Sequence, residues 1–171
     1  MTSYPKDTIA DLIDGQLPWN QTKAIMSAYK DDDRFFKVLE ILQERVAWPE
    51  KILLPIGEHL SIVQKDGARV VKCDCGHEFG DYRQNWKLGA MIRVRDSQEA
   101  IEEIYPTRDA CHPEWMELRE FICPGCAALL ETEACPPGYP IVFDFLPDLD
   151  TFYRDWLGTP LPEEPPSQSG D

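Results

Sequence analysis

The chain has 171 residues and a formal charge of −14, from 17 basic and 31 acidic side chains. This balance argues against a nucleic-acid-binding protein, because binding to a polyanion depends on clustered Lys and Arg. No apolar run approaches the roughly 18 residues of a membrane-spanning helix, and the first residues lack the apolar segment of a signal peptide. We therefore expect a cytoplasmic protein without a membrane role, in which clustered cysteines bind metal more often than they form disulfides.

Residues 1–56 are predicted to form a helical N-terminal segment. Apolar residues recur at the spacing of one helical face between Ile9 and Ile13. A second helix is predicted at 18–30, since its first residue is a proline. A third helix follows the aspartates at 31–33, which suit a helix N-terminus. These short helices can form a bundle of their own or lie along another protein, and we expect them to contact a partner.

Residues 57–146 are predicted to form an antiparallel β module, because the apolar period changes from helical to two at its start. Asp66-Gly67 lies between two β-rich runs, 60–65 and 68–73, and is a strong hairpin signal. Four further strands are predicted along the module, at 79–82, 88–95, 117–123 and 127–133. Residues 96–104 are predicted to form a short helix or a turn.

The C-terminal part is predicted to contain little regular structure. Residues 147–158, which include Phe152, Tyr153 and Trp156, are expected to form a short helix. From 159 to 171 the composition changes to mostly Pro, Glu, Ser and Gly. A segment of this kind cannot bury enough apolar surface to fold, so it is predicted to be a disordered tail.

Two short cysteine pairs give the sequence its strongest chemical signal. Cys73-Asp-Cys75 follows one predicted strand, and Cys123-Pro-Gly-Cys126 follows another. Zinc binds four soft ligands at tetrahedral corners, which two such turns supply. Four protein ligands leave no open position for a substrate, so the predicted site is structural. The first spacing is one residue shorter than usual, which leaves His77 as an alternative ligand in place of Cys73 or Cys75.

A strand, a cysteine turn and a returning strand on each side of one metal form the plan of a zinc ribbon. The predicted fold class is therefore α+β, with short N-terminal helices followed by a zinc-ribbon-like antiparallel β module. Two alternatives stay open: unrelated pairs of thiols, and a redox disulfide between Cys123 and Cys126, although no βαβ pattern surrounds that pair. Cys111 and Cys135 stand outside the pairs, either as simple thiols or as part of a ligand exchange or a second site.

No motif of catalysis or of organic-cofactor binding is evident. The sequence lacks a P-loop, a dinucleotide fingerprint and a nucleophile elbow, and His112 next to Cys111 is interpreted as an ordinary loop histidine. We therefore expect no catalytic residue on this chain, and we expect large aromatic side chains to anchor it to partners. Burial inside the chain is an equal alternative for each of them. These candidate anchors are Trp19, Phe35, Phe36, Trp48, Trp86, Trp115 and Trp156.

Five stretches together resemble the gamma (small) subunit family of acetone carboxylase, and the resemblance extends from residue 1 to about 158. They are Asp14–Trp19, Val71–Gly80, Asn85–Lys87, Arg119–Cys126 and Pro140–Phe145. The resemblance implies a cytoplasmic (αβγ)2 heterohexamer that carboxylates acetone with bicarbonate to acetoacetate and hydrolyses ATP. It assigns ATP and Mn²⁺ to the alpha and beta subunits, and a structural Zn²⁺ to this chain at Cys73, Cys75, Cys123 and Cys126.

Two other functions stay open on the residues alone. A zinc-ribbon adaptor or regulator of transcription or translation would need a basic groove, and the charge of −14 argues against one. An independent zinc enzyme would use His77 or His112 as a ligand and would keep one coordination position for water.

Overall fold

The computed structural model describes residues 3–29, 31–106 and 109–162. Contacts divide the chain after Ala47 into a helical N-terminal unit and a larger unit that begins at Trp48. Short helices come first and antiparallel sheets follow, which confirms the predicted α+β class. None of the described helices has the length and apolarity that crossing a membrane requires.

The N-terminal unit contains helices α1 Lys6–Ile13, α2 Trp19–Ser27 and α3 Arg34–Arg45. Helix α1 ends just before Gly15, whose φ of 65° suits a helix terminus. Ion pairs connect the two ends of α1 to α3: Lys6 lies 2.6 Å from Glu44, and Arg45 lies 2.8 Å from Asp14. Helix α2 leaves most of its side chains accessible to solvent.

The larger unit begins with a four-stranded antiparallel sheet in the order β1-β2-β3-β4. Its strands are β1 Lys51–Pro55, β2 Leu60–Lys65, β3 Ala68–Cys73 and β4 Glu78–Asp81. The turn between β2 and β3 is Asp66-Gly67, and both residues have positive φ, 47° and 74°. A two-residue turn of type I′ requires this conformation, so the predicted hairpin is confirmed.

A second antiparallel sheet has the order β5-β6-β7. Its strands are β5 Met91–Arg95, β6 Glu117–Ile122 and β7 Leu129–Cys135. The remaining elements of the unit are helical: a 3₁₀ turn Trp86–Gly89 before β5, helix α4 Gln98–Glu102 after it, and helix α5 Leu149–Thr151, which continues as a π-helical turn, Phe152–Trp156.

One hydrophobic core joins the elements of the larger unit. Its buried side chains come from both sheets, the 3₁₀ turn and α5: Leu53, Leu60, Ile62, Val71, Trp86, Phe121, Leu130 and Leu149. Cys73 and Cys123 belong to the same cluster, so the first cysteine of each pair is anchored in the core. The Tyr153 hydroxyl donates to the carbonyl of Leu53 at 2.7 Å and fixes the C-terminal turn to β1.

The helical range predicted for residues 1–56 is too long. The described helices of that range end at Arg45, and strand β1 follows them. Ile52 and Leu53 of β1 are both buried, so the strand lacks the alternation of buried and exposed residues that would have indicated it. Its register with β2 is also irregular between Ile52 and Leu54.

The C-terminal predictions hold only in part. The helix predicted at 147–158 is limited to a short helical segment at 149–156. Residues 159–162 were predicted as the start of a disordered tail, but Thr159 donates its N–H to the Tyr153 carbonyl at 3.1 Å and Leu161 packs against the core. The rest of the predicted tail, residues 163–171, lies outside the described part of the chain.

A buried cation connects the 3₁₀ turn to strand β7. The Lys87 side chain is 1% exposed, and its Nζ lies 2.6 Å from a Glu131 oxygen, 3.0 Å from an Asp144 oxygen and 4.0 Å from Glu133. The same Nζ lies 5.3 Å from the centre of the Phe121 ring. Burial lowers the pKa of Lys87, but the hydrogen bonds and the negative charges of Glu131 and Asp144 together outweigh burial and raise the pKa above its ordinary value.

Candidate metal centre

Two turns of similar design carry the paired cysteines. The first knuckle, residues 73–77, connects β3 to β4, and the second knuckle, residues 123–128, connects β6 to β7. In each, the N–H of the first cysteine donates to a carbonyl at the far end of the turn. That carbonyl belongs to His77 at 2.8 Å in the first knuckle and to Ala128 at 2.9 Å in the second. The strand ends are thereby closed into tight loops that project both cysteines of a pair.

The four cysteines of the two knuckles lie together. Their Sγ atoms are all within 4.8 Å of one another. Between knuckles, the sulfurs of Cys73 and Cys126 are 3.8 Å apart and those of Cys75 and Cys123 are 3.7 Å apart. A tetrahedral zinc with Zn–S bonds of about 2.3 Å has edges of roughly 3.8 Å between its sulfurs. The four free thiols therefore fit a tetrahedral metal site of this size.

Backbone N–H groups are directed at the sulfurs. The N–H of Gly125 donates to Cys123 Sγ with an N···S distance of 3.4 Å. The N–H of Ala128 bonds to the sulfur of Cys126 and holds the pKa of that thiol below its usual value. Burial raises the pKa of the Cys73 thiol. N–H donors favour the thiolate, which is the metal-binding form, whereas burial disfavours it unless a cation lies beside it.

His77, the alternative ligand considered from the sequence, lies outside this group. Its imidazole packs edge-on against the ring of Phe79, with the ring centroids 4.9 Å apart. In the described part of the chain, the group that comes together consists of four cysteines without a histidine. The first cysteine of each knuckle is buried and the second is exposed, so the site lies at the boundary between core and solvent.

Trp48 supports the first knuckle, a role that the sequence did not indicate. Its indole N–H donates to the carbonyl of Asp74, between the two cysteines of that knuckle, at 3.1 Å. The Asp74 carboxylate lies 3.1 Å from Nδ1 of His59, and the Lys72 ammonium lies 4.9 Å from the centre of the indole. The Trp-Pro pair at 48–49 indicated only the end of a helix, because the partners of this indole are supplied by the fold.

The other two cysteines lie apart from the cluster. Cys111 is half-buried. Cys135 is buried, and its Sγ lies 3.9 Å from a Glu117 oxygen. Burial raises the pKa of this thiol. His112 is exposed, with Nδ1 3.9 Å from the Glu114 carboxylate. Within the described residues, none of them joins a group of three or more metal-binding side chains.

A side chain at Gly125 of the second knuckle would crowd the first knuckle. A Cβ atom there would lie 3.0 Å from the Cβ of His77 and 3.1 Å from the sulfur of Cys75, both on the first knuckle. We expect Gly125→Ala to push the knuckles apart, weaken metal binding and lower the free energy of unfolding by about 1–3 kcal/mol. Chelator competition and thermal unfolding measure both effects. Gly57→Ala is the control, because a Cβ at Gly57 meets its nearest atom at 3.7 Å, and equal metal affinity of the two variants would contradict the prediction.

Comparison with known proteins shows the family of this chain. The family model described as acetone carboxylase gamma subunit matches residues 46–157, which include both knuckles. The acetone carboxylase gamma subunit of Xanthobacter autotrophicus is 45% identical over 163 residues, which are 94% of this chain and 97% of that protein. The acetophenone carboxylase beta subunit of Aromatoleum aromaticum is 34% identical over 80 residues, which are 46% of this chain and 62% of that protein. The chain therefore belongs to the family of acetone carboxylase gamma subunits.

Proposed function

We propose that this chain is the zinc-binding gamma subunit of an acetone carboxylase and that its zinc is structural. The observation that carries the proposal is the tetrahedral spacing of four cysteine sulfurs in a chain of this family. Cys73, Cys75, Cys123 and Cys126 would hold the ion. Zinc would cross-link the two knuckles, and four sulfurs leave no coordination position for water or substrate.

The carboxylation itself is assigned to partner subunits. In this proposal a cytoplasmic (αβγ)2 assembly converts acetone and bicarbonate to acetoacetate with ATP hydrolysis, and ATP and Mn²⁺ bind to the alpha and beta subunits. The family and the name of the Xanthobacter relative support the role of a gamma subunit. Acetone is favoured over acetophenone as the substrate of the assembly. The acetone carboxylase subunit is 45% identical over 94% of this chain, whereas the acetophenone carboxylase subunit is only 34% identical over 46% of it.

Exposed aromatic side chains support contact with large partners. In the N-terminal unit, Trp19 of α2 is 70% exposed and Tyr29 is fully exposed. Trp115 and Trp156 of the larger unit are 78% and 79% exposed. Aromatic anchors of this kind are enriched in protein interfaces. The other candidate anchors are less available, because Trp86 is buried and three are half-buried: Phe35, Phe36 and Trp48.

Retrieval of the tagged chain from its native host tests the proposal. We expect two larger proteins to co-purify in amounts equal to the chain, and the eluate to consume acetone only when ATP and bicarbonate are both supplied. Acetophenone is the comparison substrate, and metal analysis should find about one zinc per chain. Co-purification of a transcription or translation complex, or activity of the isolated chain, would contradict the proposal and favour an adaptor or an independent zinc enzyme.

A further inference from the structure

Three of the four edge strands in the described sheets carry features that oppose pairing with another chain. Strand β1 contains Lys51 and Pro55 and has an irregular register with β2. Strand β4 is four residues long and includes two acidic residues. Strand β7 includes two glutamates and has an irregular register with β6. A sheet edge is usually protected by charged side chains, proline, short length or bulges.

Strand β5, the fourth edge, has only one of these features, the charge of Arg93 and Arg95. Its sequence Met-Ile-Arg-Val-Arg contains no Lys, Pro, Gly or acidic residue, and all five residues pair with β6 in one unbroken register. Within the described residues, β5 pairs only with β6, so the backbone groups on its outer edge have no strand partner there. Met91, Ile92 and Val94 are 47%, 36% and 43% exposed. Since alternate residues point to opposite faces, Ile92 and Val94 form an apolar face, whereas Met91 shares the other face with Arg93 and Arg95.

The two arginines of β5 leave the edge open to a strand. Arg93 and Arg95 lie 2.6 and 2.7 Å from the same Glu103 carboxylate. Arg95 also lies 3.0 Å from Glu120 of β6. Their charges are balanced within this chain, so an incoming strand would not have to bury an unpaired cation beside it.

The apolar surface continues from β5 across the sheet. Met91 lies opposite Ile122 of β6, and Ile122 lies opposite Leu129 of β7. Leu129 is 49% exposed, and Leu88, just before β5, is 68% exposed. Side chains directly opposite each other on one face of a sheet are in contact range. The free edge is therefore bordered by apolar side chains that a further strand could cover.

We propose that a large subunit of the carboxylase adds a strand, with apolar side chains on the face of Ile92 and Val94, to the free edge of β5. This mode of recognition combines backbone hydrogen bonds with side-chain contacts on alternate residues. The inference rests on the proposed function, because it names the surface by which the chain joins that assembly. A partner with a basic surface around its strand would be complementary to this chain, whose charge is −14.

A second copy of this chain is a poorer occupant of the edge. Antiparallel pairing of two β5 strands over their full length would place Arg93 directly opposite Arg93 of the second copy. Like charges in opposite positions destabilise a pair of strands, and the two chains would each bring a charge of −14 to the contact.

The test compares Val94→Lys with Val142→Lys in the tagged full-length chain expressed in the native host. Both valines are exposed to a similar degree, 43% and 36%, but only Val94 lies on β5. We expect Val94→Lys to retain about tenfold less of the large subunits than the wild-type chain, because it adds a cation to the edge beyond the two arginines that Glu103 and Glu120 balance. Val142→Lys should retain wild-type amounts. Zinc content and cooperative unfolding, measured on both variants, show that each is folded.

Hydrogen exchange within the purified wild-type assembly gives a second readout. We expect the amides of 91–95 to exchange as slowly as those of the central strand β6, because β5 would become an interior strand. Full retention of the large subunits by Val94→Lys, together with fast exchange of an edge strand, would overturn the inference and leave the proposed function intact. A wild-type chain that retrieves no large subunit contradicts both. Slow exchange of the β5 amides in a dimer of this chain alone would also overturn the inference, because a second copy would then occupy the edge of β5.

Discussion

Cys123→Ser is expected to unfold the unit that begins at Trp48. The sulfur of Cys123 is both a corner of the candidate zinc site and part of the hydrophobic core. Structural zinc contributes about 10–16 kcal/mol in small zinc domains, whereas whole domains are stable by only about 5–15 kcal/mol. Loss of one of four ligands should therefore remove most of the stability of this unit. Removal of the metal from the wild-type chain with a strong chelator should have the same effect.

Three measurements check this expectation: zinc content, the cooperativity of thermal unfolding, and tryptophan fluorescence, since Trp48 contacts the first knuckle and Trp86 lies in the core. Cys111→Ser is the matched control, because Cys111 lies outside the cluster and its replacement should leave zinc content and unfolding unchanged. His77→Ala should likewise retain the metal. A Cys123→Ser chain that unfolds like the Cys111→Ser chain would show that no metal stabilises the fold. Loss of carboxylase activity with an intact fold would instead point to a catalytic role.

The features that the sequence predicted well are those set by neighbouring residues. Asp66-Gly67 favours positive φ at both turn positions whatever surrounds it, so the β2–β3 hairpin follows from a few residues. Each cysteine pair directly follows a strand, so the pairing of thiols within a knuckle is also local. The approach of the two cysteine pairs, which follow strands of different sheets, depends on the whole fold. The sequence indicated this approach only because zinc prefers four ligands.

The features that the sequence could not predict depend on contacts between distant residues. The indole of Trp48 bonds to Asp74, 26 residues later in the chain. His77 is kept out of the cluster by its packing on Phe79 and by the close approach of Gly125. Strand β1 shows no alternation because two successive residues are buried. A lysine such as Lys87 would be expected on the surface, and its burial follows from acidic partners such as Asp144, 57 residues away.

Lys87→Met is expected to destabilise the larger unit by about 3 kcal/mol. Removal of one partner from a buried ion pair costs about 3–5 kcal/mol, because the remaining charge is left uncompensated. The lower end applies here, since Glu131 and Asp144 are 35% and 56% exposed and water can screen them. Methionine has a similar length and is apolar, so the cavity is small and the effect reports on the lost cation. Denaturant unfolding measures the difference.

The dependence on pH separates this electrostatic effect from a packing defect. Because the folded-state pKa of Lys87 is raised, the stability that its charge contributes is fully present below the unfolded pKa of about 10.4 and is lost as pH rises through the folded value. The difference between wild type and Lys87→Met should therefore stay constant near neutral pH and shrink in the alkaline range. Lys65→Met, which removes a cation that is 33% exposed beside Glu78, should destabilise the unit much less than Lys87→Met does, because water screens exposed ion pairs. A Lys87→Met difference that persists at alkaline pH would assign the loss to packing in the core rather than to the cation.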